Sequence, residues 1–276
     1  MSRRLVVTAD DLGLGPRTNE AIVDLAARGR ITSTTLMPVA PGARDAVDRV
    51  RAAGVADPRL HVTLTSAREL PPWRPLATDV ASLTDGDGTF HILPSRIHGA
   101  GEPAELRREM RAQLFWMHEY GLRPTGLDSH SGSLYGRRGL SAALRFCAEQ
   151  SLAFRLPRRL PRLVDVGLRG RLRRRYDEAV GAALDLGLSL PETLVSTWLP
   201  GRMLVSYGQL RALVLGQLRA LPDGVSELVL HPAPASAAGR LDAAEGRKRV
   251  WELRLLHDPL FLKTLHRERI GLVPAW

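Results

Sequence analysis

Two periodicities take turns along the chain. Residues 4–9 (RLVVTA) form a short, apolar, β-branched run, which predicts a buried strand, and Asp10-Asp11-Leu12-Gly13 follows it as a loop. Ala21, Ile22, Leu25 and Ala26 then recur at helical spacing, with Gly29 placed to end that helix in a left-handed turn. A second strand is predicted over 31–37 (ITSTTLM), stopped by Pro38 and Pro41-Gly42. The order repeats as a helix at about 42–53, a strand at 59–65, a helix at about 102–120, a strand near 124–129, a helix at about 139–150 and a strand near 152–156. Such strand–loop–helix–strand units imply an α/β fold with a parallel sheet.

Two stretches interrupt the alternation. Residues 66–101 are rich in Pro, Gly, Asp and Trp, and an excursion of that length in a compact domain is usually a functional loop. Residues 157–224 carry an arginine-rich helix and a second amphipathic helix around 206–220, with Pro191, Pro200 and Gly201 between them; this region reads as divergent and insertion-like. A strand at 226–231 (SELVLH), a helix from about 241 to 256 and a last strand at Ile270–Val273 restore the pattern. With no internal repeat and no convincing linker, residues 1–276 read as a single domain.

Composition narrows the class only a little. At 44% hydrophobic and 25% charged residues the chain belongs with ordinary globular proteins rather than disordered ones. The net charge of +10 raises nucleic-acid binding as an option. Against it, the densest basic run, Arg169 to Arg175 (RGRLRRR), has no interleaved aromatics on which bases could stack, and it reads as a solvated helical face. Leu5-Val6-Val7 is too short for a signal-peptide core, and no window is apolar enough to span a membrane, so a cytoplasmic protein is expected. The single cysteine, Cys147, leaves no intrachain disulfide to form.

The candidate chemistry lies at the ends of the predicted strands. Asp10-Asp11, His61, Asp128-Ser129-His130 and His231 each fall at or just past a strand's C-terminal end, the edge where active sites form in parallel α/β folds. Singly, the aspartates are ordinary turn or capping residues and each histidine is more often structural. His91, His98, His118, His257 and His266 read as surface residues. Jointly, two histidines and an aspartate make a coordination shell with positions left open for water and substrate. A second carboxylate beside them could take a proton from water acidified by the ion, and a further histidine could protonate a leaving amine. These residues suit metal-assisted amide hydrolysis. Phosphoester hydrolysis by the same ligands stays open, since the arginine richness suits an anionic substrate, and a non-catalytic, basic nucleic-acid-binding protein is the weaker alternative.

Longer motifs carry a family resemblance. Thr8-Ala9-Asp10-Asp11-Leu12-Gly13 with Asn19-Glu20-Ala21-Ile22, the run Gly29 to Pro38, Leu60-His61-Val62-Thr63-Leu64-Thr65, Pro124 to His130, Glu227 to Pro232 and the closing Arg249 to Pro259 resemble the YdjC-like carbohydrate deacetylases. The resemblance implies a distorted TIM-like (β/α) barrel and hydrolysis of an acetamido group on an amino sugar or glycoconjugate. It implies Asp11, His61 and His130 as metal ligands, Asp10 as catalytic base, His231 as acid or stabiliser of the tetrahedral intermediate, and Arg155 as the arginine that orients Asp10. Ser131-Gly132-Ser133 stands where many members carry further histidines, so chitooligosaccharide specificity is not carried over. The subgroup with glycine there shares Trp73-Arg74-Pro75-Leu76 and Ser82-Leu83-Thr84-Asp85.

One divalent metal ion is expected. The resemblance points to Mg²⁺, whereas two imidazoles and one carboxylate suit Zn²⁺ or another transition ion better. Trp73, Tyr135 and Trp198 are candidates for stacking on a sugar ring, against the plainer reading of loop or core packing. The expected partner is the acetylated substrate, with neither nucleic acid nor membrane, and a homodimer is the expected assembly.

Overall fold

The computed structural model describes every residue except Met1, 162–164, 166, 168 and 198. Its strands are β1 (Arg3–Leu12), β2 (Ser33–Leu36), β3 (Arg59–Val62), β4 (Gly126–Ser129), β5 (Ala153–Phe154), β6 (Leu194–Ser196), β7 (Gly224–Leu230) and β8 (Gly271–Leu272). All pair in parallel in the order β5-β4-β3-β2-β1-β7-β6, with β8 joined to β1. The two ends of this sheet are stitched together: the backbone N–H groups of Phe154, Arg158 and Arg159 donate to the carbonyls of Ser189, Pro191 and Glu192 at 3.3, 2.8 and 2.9 Å. The result is the distorted TIM-like α/β barrel that the alternation implies.

The helices wrap the outside: α1 (Pro16–Ala27), α2 (Ala43–Ala53), α3 (Pro94–Ala100), α4 (Pro103–Glu119), α5 (Arg137–Gln150), α6 (Gly170–Asp185), α7 (Tyr207–Arg219), α8 (Ala235–Ala238), α9 (Ala243–His257) and α10 (Pro259–Arg267). Strand alternation sorts side chains between the helix layer and the interior. Leu5, Val7 and Ala9 of β1 and Leu60 and Val62 of β3 join the continuous apolar core. Thr8, Asp10, Arg59 and His61 lie on the opposite face of the same strands and meet inside the barrel. Among the described residues, no helix is long and apolar enough to cross a membrane.

The interior is therefore charged, and its charges are paired. Glu227 of β7 is fully buried; it accepts from Thr8 Oγ1 at 2.6 Å, from Arg155 Nε at 3.0 Å and from Arg59. The Arg59 guanidinium is covered on one side by the Trp276 ring, 3.9 Å from its centroid. Removing one partner from such a network leaves its counter-charge buried and uncompensated. Glu227→Ala is accordingly expected to lower unfolding free energy in urea by about 3–5 kcal/mol. A loss within the ordinary surface range would mean that water reaches Arg59 and Arg155.

Several elements differ from the sequence expectation. β1 runs on through Asp10, Asp11 and Leu12 rather than ending in a loop, because polar side chains belong to this barrel's interior. Among the described residues of 157–224, α6, β6 and α7 continue the alternation, but β6 has only three residues and leaves no periodic signal. α10 is a further helix that starts at Pro259 and is capped by the Asp258 side chain.

Candidate active site and metal centre

Two adjacent aspartates on a regular strand would point to opposite faces. Here the β1–β2 register shifts between Ala9 and Leu12, and Asp11 takes φ 69°, a left-handed conformation that aspartate tolerates better than most residues. That bulge brings both carboxylates into the barrel. Neighbouring strands bring up the histidines: His61 and Asp128 are register partners across β3 and β4, and His130 follows two residues later. On the other side Ala9 pairs with Leu230, so His231 arrives beside Asp10.

Asp11, His61 and His130 form one cluster whose ligand atoms lie within 4.8 Å of one another. Asp11 Oδ1 stands 3.4 Å from both His61 Nε2 and His130 Nδ1, and it is buried without a hydrogen-bond partner among the described residues. An orphaned carboxylate oxygen facing two imidazole nitrogens is a donor set that fits a divalent ion. The outer contacts fix its orientation. His61 Nδ1 is bonded to Asp128 Oδ1, which leaves Nε2 toward Asp11, and Arg249 Nη2 holds Asp11 Oδ2 at 2.6 Å. A second group, Asp10, His61 and Asp128, also lies within 4.8 Å, but its carboxylates are already matched: Arg155 pairs with Asp10 and Asp128, each at 2.7 Å. What distinguishes the first cluster among the described residues is Asp11 Oδ1, which has neither a hydrogen bond nor an arginine against it.

Asp10 sits beside it with a different set of partners. Its Oδ1 accepts from Thr35 Oγ1 and Arg155 Nη2, both at 2.9 Å; its Oδ2 accepts from Arg155 Nη1 at 2.7 Å and lies 3.9 Å from His231 Nε2. His231 is itself steered by Glu252, which accepts its backbone N–H at 2.7 Å and stands 3.9 Å from Nδ1.

Electrostatics separate these groups. Burial by itself would raise both aspartates. For Asp10 this is outweighed by Arg155 with His61 and His231, and for Asp11 by Arg249 with the two imidazoles, so both carboxyls are held well below their ordinary range. Burial would likewise lower both histidines. His61, facing Asp128 and Asp10, is instead pushed up to about 10, whereas burial wins at His130, which is lowered.

The site opens into a cavity of about 1090 Å³, whose wall includes Asp10, His61, Ser129, Tyr135, Arg155 and His231. Tyr135 reaches this wall because Ser131 (φ 51°) and Gly132 (φ 66°) turn the chain back after His130; its hydroxyl donates to the Arg155 carbonyl at 2.6 Å. Trp73 is buried instead, its ring 6.0 Å from that of His130, and it does not line the cavity. Trp198 lies outside the described residues. Arg249 and Glu252 escape a reading of strand ends because they come from α9, one helical turn apart; polar residues three apart on a helix face that is otherwise packed are the signal for them.

A parallel α/β barrel with acidic and imidazole groups gathered at its carboxyl rim is the class that fold and site define. The chain belongs to the YdjC-like protein family, whose profile matches residues 4–267. It is similar to the carbohydrate deacetylases of Brevibacillus brevis (36% identical over 127 residues, 46% of this chain and 48% of that one) and Geobacillus stearothermophilus (35% over 130 residues, 47% and 50%). A Mus musculus protein of the same name is 34% identical over 132 residues, 46% of this chain and 41% of that one. The chain spans about half the length of the curated relatives it matches. A solved Enterococcus faecalis structure, described as that of a candidate cellobiose-phosphate cleavage protein, shares the fold: TM-score 0.78, 21% identity, 99% of this chain and 97% of that one.

Proposed function

We propose that this protein is a divalent-metal-dependent N-deacetylase of amino sugars or their conjugates, and that residues 1–276 act as one catalytic unit. The observation that carries the reading is the placement of Asp10 and His231 on one cavity wall, 3.9 Å apart, beside the open Asp11–His61–His130 cluster. The deacetylase names of the relatives support it.

Asp11, His61 and His130 hold the ion. When bound, it supplies Lewis-acid polarisation of the acetyl carbonyl and acidifies the attacking water. Asp10 takes the proton from that water through Oδ2, which accepts one hydrogen bond where Oδ1 accepts two. Arg155 grips both Asp10 oxygens and fixes their angle to the acetyl carbon. As the C–N bond breaks, His231 gives its proton to the departing amine, and acetate and a free amino sugar result. Metal affinity for Zn²⁺, Co²⁺ and Mn²⁺ is expected to exceed that for Mg²⁺, because two of the three ligands are imidazoles.

The test is acetate release from a panel of N-acetylated sugars and glycosides by metal-stripped protein, with Zn²⁺, Co²⁺, Mn²⁺ or Mg²⁺ restored separately. Release that depends on the metal is the expected result. Release of equal rate from the stripped protein, or hydrolysis of phosphate esters in preference to acetamides, would overturn the assignment.

A further inference from the structure

We propose that the sugar is presented to this site on an anionic, alkyl-tailed carrier, which lies in the trough between α5 and α6. The inference rests on the deacetylase reading above and names its substrate class. The cavity of about 1090 Å³ lies at the upper end of the roughly 300–1,000 Å³ found for ligand pockets, so one amino sugar fills only part of it. The cavity's inner end is polar, with Asp10, His61 and His231 on its wall.

The outer end has a different chemistry. Leu140 and Leu144, one turn apart on α5, share the wall with Leu172 of α6 and Leu186 at its end. Leu172 and Leu186 are 58% and 43% exposed and add apolar surface to this wall. A track for further sugar rings needs hydrogen-bonding side chains and aromatic platforms. The four leucines give this wall an aliphatic strip, and the two tyrosines that also line the cavity, Tyr135 and Tyr176, have their hydroxyls committed to backbone carbonyls.

Charge supplies the second part of the argument. Arg137, Arg145 and Arg175 line the same cavity, with Glu178 the acid beside them among the described residues apart from Asp10 at the inner end. None of the three arginines has a hydrogen-bond, ion-pair or ring partner among the described residues. Some surface arginines are paired, as Arg107 is with Glu149, and others, such as Arg68, Arg96 and Arg111, are as free as these three among the described residues; what distinguishes Arg137, Arg145 and Arg175 is that they line one cavity. Unpaired guanidiniums beside an aliphatic wall match a phosphate followed by an alkyl chain.

Decyl phosphate, which has no acetamide, probes the trough alone. Calorimetry with the wild-type protein, below the probe's micellar concentration, is expected to give saturable binding. That binding should weaken about tenfold in a double R137Q/R175Q variant and about tenfold in L172S/L186S. No saturable binding, or binding unchanged in both variants, overturns the inference whatever the enzyme's activity. In turnover, kcat/KM of the metal-loaded enzyme is expected to rise about thirty-fold from the ethyl to the decyl glycoside of N-acetylglucosamine, and further for decyl N-acetylglucosaminyl phosphate. A flat series in which the ethyl glycoside is turned over sinks the inference and leaves the deacetylase reading standing. Saturable decyl phosphate binding without turnover of any acetylated member keeps the amphiphile site and overturns the deacetylase reading.

Discussion

Asp10→Asn is expected to lower kcat for acetate release by about 10²–10⁴-fold while leaving divalent-metal affinity within a few-fold of wild type. The two effects separate because Asp10 and the open cluster have separate hydrogen-bond partners and meet only through charge, Asp10 helping to hold the proton on His61. Both Asp10 oxygens are tied to Arg155 and one to Thr35, whereas Asp11 answers to His61, His130 and Arg249. An asparagine keeps one oxygen for Arg155 but turns an amide N–H₂ toward the guanidinium or the cavity, and neither arrangement accepts a proton from water. Metal titration and steady-state acetate release on the same preparation distinguish loss of the base from loss of the fold. Arg155→Lys makes a graded companion: it keeps the charge beside Asp10 but gives up the paired hydrogen bonds that fix both oxygens, so kcat should fall less than in Asp10→Asn. Wild-type turnover in the asparagine variant would move the base elsewhere, to Asp128 or His231.

Why the barrel is legible in the sequence and part of its site is not comes down to which interactions leave a periodic trace. The strands at 4–9, 59–65 and 226–231 announce themselves because one face of each packs against helices and must be apolar. The same rule makes Asp10-Asp11 read as a loop, although both are in β1: a polar barrel interior reverses the usual link between polarity and exposure. The strand ends locate His61, His130 and His231 without any knowledge of side-chain geometry. The bulge at Asp11 leaves no such trace. A one-residue register shift is a property of the pairing of β1 with β2, and nothing in the spacing of Asp10 and Asp11 encodes it. Glu227 and Arg59 are hidden for a related reason, since each lies within a strand and owes its burial to partners from distant parts of the chain; Asp128 stands in a strand-end motif, but nothing there encodes its pairing with His61.

Metal binding is expected to release about one proton near neutral pH, and apparent affinity should climb about tenfold per pH unit until it levels near pH 10. The ion-free protein keeps a proton on His61, between the Asp128 and Asp11 carboxylates, because Asp128 and Asp10 outweigh the penalty of burial. A cation can reach Nε2 only by displacing that proton. His130, lowered by burial, is already neutral there and contributes no second proton. The sign for folding follows from the same shift. His61 rises from 6.5 unfolded to about 10 folded, so its stabilisation of the ion-free protein is complete below about pH 6.5 and is lost as pH climbs through about 10. Calorimetry of Zn²⁺ binding in buffers of different ionisation enthalpy counts the released proton directly. Asp128→Asn sharpens the test, since it removes the carboxylate that both holds the proton and orients the ring. Its limiting affinity at high pH should fall about 10–100-fold, while the pH at which affinity levels off moves down. Zero proton release by the wild-type protein near pH 7.5 would mean that His61 is neutral before the ion arrives, and that Asp128 acts on the ring's orientation alone.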